Sequence, residues 1–335
     1  MTVRTKTANT RRRHLAHLAG VAALALTGVW SVGVQAAENY PAKPIRIIVP
    51  FPAGGGTDMI GRLIGQELST RWGQSVVVEN RSGASGTIGY GMVAKSPADG
   101  YTILLGITTL IQAPWLYKNL PYTLSELTPV SQIARSADIL MVPSQSGITT
   151  LQQFVEKAKA NPGALSYASY GNASTSHLNG ERFKKEAGID IVHVPFQGAN
   201  PAMVAVLGNQ VNIGFIDASS ASAHLKSDRV NVVGVAGSQR HPALPDVPTV
   251  GEQGYPGLGA NGFFAVFVPA GTPDAIVNKL GAAVADIVKS PAVHGRLTQM
   301  GLIPVGSLPA QFKVQLEKDS LHWKQAVEEL GIKLD

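Results

Sequence analysis

The sequence predicts an α/β fold of two lobes, each built on a parallel-rich sheet, with a hinge between them. Three observations predict it. Two separate stretches share one design, a short apolar strand running into a loop of small residues and then a helix: Ile45–Pro50 into Phe51–Asp58, and Leu165–Ser169 into Tyr170–Ser176. Residues 45–105 alternate strand and helix patterns as β-α-β-α-β, which calls for parallel neighbours. A late strand and two late helices return to the first lobe, so the chain crosses between lobes twice. A length of 335 residues suits two domains of ordinary size.

The elements follow in order. Ile45–Val49 is a β-branched run ended by Pro50, a buried strand. Asp58–Trp72 places Met59, Ile60, Leu63, Ile64 and Leu68 at helical spacing, and Gly73 stops it. Val76–Val78 is a strand, Ile88–Lys95 a short helix ended by Ser96-Pro97, and Tyr101–Leu105 a third strand leading to Thr108. A changeover is expected near Ile139–Pro143. Thr150 and Gln153 form a capping box for a helix to Ala160. The second lobe continues with strand Leu165–Ser169, helix Thr175–Ala187 stopped by Gly188, strand Ile191–Val194, helix Pro201–Leu207, strand Val211–Ile216, a short helix around Ser220–Lys226 and strand Val230–Val235. Residues 237–261 are rich in Pro and Gly and read as irregular. Gly262–Val268 is the returning strand. Thr272 is expected to cap a helix that runs to Lys289 with Pro273 in its first turn, and Ser307 or Pro309 opens a last helix to Leu330. The lobes are therefore expected at residues 37–140 plus 262–335 and at residues 141–261, with hinges near 139–143 and 258–263.

Residues 1–36 read as an export signal. Arg4, Lys6, Arg11, Arg12 and Arg13 precede the mostly apolar stretch His14–Val34, and Val34-Gln35-Ala36 offers a small-x-small cleavage site. The arginine cluster only partly matches a twin-arginine signal. Removing the leader takes five of the 28 basic residues and none of the 22 acids, which leaves a net charge of +1. Such a balance gives no footprint for nucleic acid. No later stretch is long and apolar enough to span a bilayer. The chain has no cysteine, which excludes thiol catalysis, disulfides and Cys-ligated metal. No cofactor or metal is expected: the histidines beyond the leader (177, 193, 224, 241, 294 and 322) include no close pair at metal-ligand spacing. No Gly-x-Ser-x-Gly elbow marks a hydrolase.

The chemistry expected of the two loops is anion binding. A strand-to-helix turn without bulky side chains bares the first helical N–H groups, which carry partial positive charge. In open parallel sheets such turns lie beyond the carboxyl ends of strands, where ligands sit. Gly54, Gly55 and Gly56 let a ligand approach the backbone, and Thr57 or Asp58 is expected to cap the helix. Ser82–Gly86 is a second small-residue turn at the same sheet edge. Ser169, Asn172, Ser174, Thr175 and Ser176 offer neutral donors, with His177 in the first turn of the helix as a packing or capping residue. Gln197 and Gly198 end another strand, and Asp217 ends a third, to accept from a ligand amine or to hold a loop.

The motifs resemble the Bug family, the extracytoplasmic solute receptors of tripartite tricarboxylate transporters. The resemblance rests on Tyr40–Asp58, Val78–Arg81 with Gly83, Ala84 and Gly86, Asp99–Thr102, Asn161-Pro-Gly163, His193-Val-Pro195 with Gly198, Pro245–Thr249 and Pro269–Pro273, in order along nearly the whole chain. It implies a periplasmic Venus-flytrap fold, without catalysis, that holds a small carboxylated solute through backbone groups and ordered water. It carries over the first loop to Phe51, Ala53, Gly54, Gly55, Thr57 and Asp58, and the second to Ser169, Gly171, Ser174, Thr175 and His177. Ser82, Gly83, Ala84, Thr108, Gln197, Gly198 and Asp217 are expected to shape the rest of the site. Ala173 stands where the family often has Gly, and Phe196-Gln197 where it often has Tyr-Lys, which favours a less acidic or more apolar solute. The expected partners are a membrane transporter's subunits or a sensor kinase, with the receptor a monomer.

Overall fold

The computed structural model describes residues 39–258 and 262–334. The export signal and the centre of the 258–263 hinge lie outside the described residues. The strands are β1 (Ile45–Val49), β2 (Val76–Asn80), β3 (Thr102–Ile107), β4 (Leu127–Ser136), β5 (Asp138–Pro143), β6 (Ser166–Ser169), β7 (Val192–Pro195), β8 (Ile213–Asp217), β9 (Val230–Ala236), β10 (Gly262–Pro269) and β11 (Ile303–Pro304). The helices are α1 (Gly56–Trp72), α2 (Thr87–Ala94), α3 (Thr109–Leu116), α4 (Leu151–Ala160), α5 (Thr175–Ala187), α6 (Ala199–Leu207), α7 (Ala218–Ala221), α8 (Asp274–Lys289), α9 (Pro291–Gln299) and α10 (Pro309–Leu330).

Two sheets organise them, ordered β11-β4-β10-β3-β1-β2 and β7-β6-β8-β5-β9. In the first, β1 is parallel to β2 and β3, and β10 runs antiparallel to β3 and β4. In the second, β6 is parallel to β7 and β8, and β5 is antiparallel to β8 and β9. Each sheet is thus mixed, with its parallel half as the sequence indicates. Successive strand residues point to opposite faces, so each sheet buries two cores. Ile47 and Val49 pack with Ile60 and Ile64 of α1 and with Leu280 and Val284 of α8. Ile48 and Leu104 face the other way, toward Tyr90, Leu110, Phe312 and Trp323. In the second sheet Tyr167 and Phe215 pack on Phe154 and Phe183, while Ile139 and Ile216 pack on Met203 and Val206.

Several expectations change. The chain leaves the first sheet after Ser136 and enters the second at Asp138, so the changeover falls at Ala137. Residues 139–143 are strand, held by β8 on one side and β9 on the other. No element is expected from the sequence at α3, β4 or α9. Pro114 inside α3 and Pro129 inside β4 disguise two of those patterns. Thr272 does not cap α8; its hydroxyl donates to the Pro269 carbonyl at 2.7 Å, and the N-cap is Pro273. The Thr150–Gln153 capping box, and the left-handed glycines 73, 188 and 331 after α1, α5 and α10, stand where the sequence puts them.

Helix α5 lies on its sheet at a contact that admits no side chain. A Cβ on Gly180 would come within 2.2 Å of the buried Tyr167 ring. Gly180→Ala should therefore overpack this interface and lower stability by about 1–3 kcal/mol, read as a lower urea midpoint with an unchanged slope.

Candidate functional site

The parallel strands of both sheets direct their carboxyl ends toward one cavity between the lobes. From the first lobe come Phe51, Pro52, Gly55, Gly56 and Thr57 after β1, Ile107 at the end of β3 and Thr108 after it, Ser136 at the end of β4, and Gly262, Phe263 and Phe264 at the start of β10. From the second come Asp138, Tyr170, Thr175, Gly198–Pro201 and Asp217. Its volume is about 50 Å³ measured to the centres of water-sized molecules, several times the roughly 10–15 Å³ that one water needs by that measure. That is room for a small solute.

Four helices begin at this cavity: α1, α3, α5 and α6. Their N-caps are Gly55, Thr108, Ser174 and Gly198, of which Ser174 supplies a side-chain cap, and the short α7 beside them is capped by the side chain of Asp217. The Thr108 hydroxyl is committed elsewhere, accepting the Phe263 N–H at 2.7 Å. Uncapped helix starts from both lobes therefore surround the space, and each carries partial positive charge.

Asp58 does not cap α1, which begins two residues earlier than expected. Its buried carboxylate instead accepts the Gly54 N–H at 3.0 Å, Arg62 Nε at 3.0 Å and Asn80 Nδ2 at 2.9 Å. Asn80 also donates to the Phe51 carbonyl at 3.0 Å. Burial alone would raise the Asp58 pKa, but Arg62, the Gly54 N–H and Asn80 outweigh it and hold the carboxyl below its ordinary range. Asp58 thus sets the loop's shape from behind, while Ala53 and Gly54 are exposed away from the cavity.

The second loop differs more from expectation. Its donors and acceptors are turned inward. Ser176 Oγ accepts the Tyr170 N–H at 3.0 Å, Ser169 Oγ accepts the Gly171 N–H at 3.3 Å, and His177 Nδ1 accepts the Ala173 N–H at 3.3 Å. Ser174 Oγ donates to the Gly171 carbonyl at 2.5 Å. So Ser169, Gly171, Ser174 and His177 build the loop and do not line the cavity. Thr175 does, and Gln112 Nε2 of α3 donates to its hydroxyl at 3.1 Å across the lobes. Ser82, Gly83 and Ala84 are also off the cavity, although the neighbouring Ser85 reaches the second loop: a Cβ on Gly171 would stand 2.8 Å from its Oγ. Gln197 is exposed, and Gly198 lines the wall.

The cavity lining also includes residues that the sequence did not single out for the site, among them Pro52, Ile107, Ser136, Asp138, Tyr170, Ala199, Asn200, Pro201 and the β10 segment. Asp138 and Asp217 are direct cross-strand partners on β5 and β8. Tyr170 Oη donates to Asp138 Oδ1 at 3.1 Å and Asn179 Nδ2 donates to its Oδ2 at 2.8 Å. Burial pushes Asp138 up to about 7; the Asn179 bond opposes that rise, Asp217 reinforces it and Tyr170 opposes it. Asp217 Oδ1 accepts the N–H groups of Ser219 and Ser220 and the Ser219 hydroxyl, capping α7. Among the described residues no Lys, Arg or His lines the cavity.

The lobes touch directly. The Gly56 N–H donates to Ser220 Oγ at 3.2 Å, and a Cβ on Gly56 would fall 1.8 Å from Ser219 Oγ. Gly55, by contrast, has room for a Cβ, its nearest neighbour being the Pro52 carbonyl at 3.9 Å. Arg182 of α5 pairs with Glu329 of α10 at 2.7 Å. His241 Nδ1 accepts the Ala243 N–H, which makes Nε2 the donor to the Gly301 carbonyl at 2.6 Å.

Two sheets, two chain crossings and a cavity ringed by helix starts define a periplasmic-binding-protein fold. The family model described as "Tripartite tricarboxylate transporter family receptor" matches residues 60–332, and the chain belongs to that family. It is 34% identical to BugT of Bordetella pertussis over 93% of this chain and 98% of that one. It is 35% identical to a protein encoded in the tcbD–tcbE intergenic region of a Pseudomonas species, over 96% and 95% of the two chains. Among solved structures, an R. palustris protein with adipate is similar at TM-score 0.85 and 33% identity, over 88% of this chain and 99% of that one. MatC of Rhodopseudomonas palustris with bound malate is similar at TM-score 0.81 and 30% identity, over 86% and 100%. This is a periplasmic solute-binding protein of that family.

The geometry can be tested at the lobe contact and at a stacked histidine pair, one buried and one half-buried. Gly56→Ala should hold the lobes apart, giving a larger radius of gyration by X-ray scattering while circular dichroism stays unchanged. The histidines are His177 and His193, whose rings stack at 4.2 Å. Burial lowers His177 to about 4 and His193 to about 3, the latter also lowered by His177 and Lys184. Unfolded histidine titrates near 6.5, so below that pH the unfolded chain binds more protons and stability is lost as pH falls toward 4. His177→Gln/His193→Gln should flatten the dependence of the urea midpoint on pH between 4 and 6.5.

Proposed function

We propose that this receptor captures one small carboxylate in the interlobe cavity and delivers it to the membrane subunits of a tripartite transporter. The observation that carries the reading is the convergence of helix starts without side-chain caps, α1 and α3 from one lobe and α6 from the other, on one cavity. A carboxylate there accepts main-chain N–H bonds and gains from the helix dipoles without a full counter-charge, so binding stays reversible. The adipate and malate bound by the two R. palustris neighbours support a carboxylate as the solute. Of the residues expected at the site, Phe51, Gly55, Thr57, Thr108, Thr175, Gly198 and Asp217 would contact the solute, and Ala53, Gly54, Asp58, Ser82–Ala84, Ser169, Gly171, Ser174, His177 and Gln197 would hold the surrounding loops.

Closure would be a rigid motion of two lobes. We place them near residues 37–137 plus 262–335 and 138–261, with one crossing at Ala137 and the other in the 258–263 segment. Export to the periplasm would follow from the leader, with cleavage after Ala36. A catalytic reading finds no support in Ser169 and His193: the pair sits at 2.7 Å outside the cavity lining, and no carboxylate bonds either His193 or His177 among the described residues.

A carboxylate at a hundred times its Kd should stabilise the mature protein by about 2.7 kcal/mol, several degrees in a thermal-shift assay. Gly56→Ala should abolish that shift. If no mono-, di- or tricarboxylate moves the melting temperature of the wild-type protein, the reading is wrong.

A further inference from the structure

A second recess lies on the first lobe, at the sheet edge where the two-residue β11 ends. Gln132 and Arg135 of β4, Lys289 at the end of α8, and Ser307 and Gln311 around the start of α10 line it. It shares no residue with the interlobe cavity. A β-bulge builds it. Gln132 and Ala134 stand opposite the consecutive residues Ala265 and Phe264 of β10, so Ile133 is an extra residue in the strand. A bulge breaks the alternation of faces, and Gln132 and Arg135, three apart, meet at one recess. Past β11 the chain is pinned to β4, with the Gln132 N–H donating to Ser307 Oγ at 2.8 Å and the Ser307 N–H to the Gln132 carbonyl at 3.2 Å.

The recess is rich in donors and lacks an acid. Two cations line it and no carboxylate does. Asp286 of α8 and Asp319 of α10 are engaged elsewhere, by Arg71 at 3.1 Å and by Gln315 Nε2 at 2.8 Å. Lys289 gains from the last turn of α8. Arg135 has no such reason to be there: it is half-buried on a strand between β10 and β11, and no ion pair holds it among the described residues. Gln132 is 2% exposed, and its Nε2 has no hydrogen-bond partner. Leaving such a donor unpaired costs free energy. Helix α10 starts at Leu308 without a side-chain cap, which bares its first N–H groups. Ser307 Oγ accepts one bond and keeps its own proton to donate.

We propose that this recess is a second binding site, for a small free oxyanion with two negative charges, of the sulfate and hydrogen phosphate class. Arg135 offers a planar fork of donors and Lys289 a point charge. Gln132, Ser307 and the start of α10 supply the remaining bonds. Two cations without an acid favour a dianion over chloride or nitrate. The inference is independent of the carboxylate reading.

The test is titration calorimetry of the mature protein with sodium sulfate and sodium phosphate near neutral pH and at low ionic strength, where screening is weak. Both should bind, at least about ten-fold tighter than chloride or nitrate. Arg135→Gln and Lys289→Gln should each weaken sulfate binding about ten-fold and leave the carboxylate-induced thermal shift unchanged. Lys289 is exposed, so its variant decides the matter should the Arg135 variant not fold. Gly56→Ala, expected to disable the interlobe cavity, should still bind sulfate. Crystals soaked in selenate should give an anomalous peak beside Arg135 and Lys289. No heat from either dianion, an equal response to chloride, or binding lost in Gly56→Ala and kept in Lys289→Gln would overturn the site, and none of these would touch carboxylate capture.

Discussion

The architecture turns on one close approach. The first turn of α1 meets the Asp217–Ser220 turn so tightly that the meeting residue has no side chain. Gly56 places its N–H on Ser220 Oγ and leaves no space for a Cβ. That contact joins the carboxyl end of β1 in one sheet to the carboxyl end of β8 in the other. It brings the helix starts of both lobes to one cavity. Gln112 to Thr175, Arg182 and Lys185 to Glu329, and His241 to Gly301 also bridge the lobes. The glycine matters here for its absent volume; its φ is not in the left-handed region, unlike that of Gly54.

The two halves of the site use polar groups differently. In the first lobe one buried acid, Asp58, organises the loop from outside, and of the cavity-facing backbone the Gly56 N–H is taken by Ser220. In the second lobe the serines and His177 are consumed in shaping their own loop. The cavity wall there falls to Thr175, the start of α6 and the two acids. A buried hydroxyl finds the nearest N–H, and in a loop of serines that N–H is local.

Local signals carried most of the fold. The alternating strand and helix patterns, the capping box at Thr150 and the glycine stops were legible because each is decided within a few residues. The loop Phe51–Asp58 was legible as a candidate site for the same reason. What stayed hidden depends on pairing between distant segments. Asp138 reads as the start of an apolar run, and only its register opposite Asp217 puts it in the cavity. Ser136 and Phe263 reach the site because β4 and β10 pair antiparallel beside β3, which no periodicity announces. The inward turn of Ser169, Ser174 and Ser176 is likewise a choice between partners that composition alone leaves open.

The bonds around Asp58 have a kinetic meaning. Arg62, Asn80 and the Gly54 N–H fasten the first loop in the folded protein. An arriving molecule meets a finished mould, and little disorder remains to be frozen on contact. In the proposed mode of capture, encounter would then be limited by diffusion and the swing of the lobes.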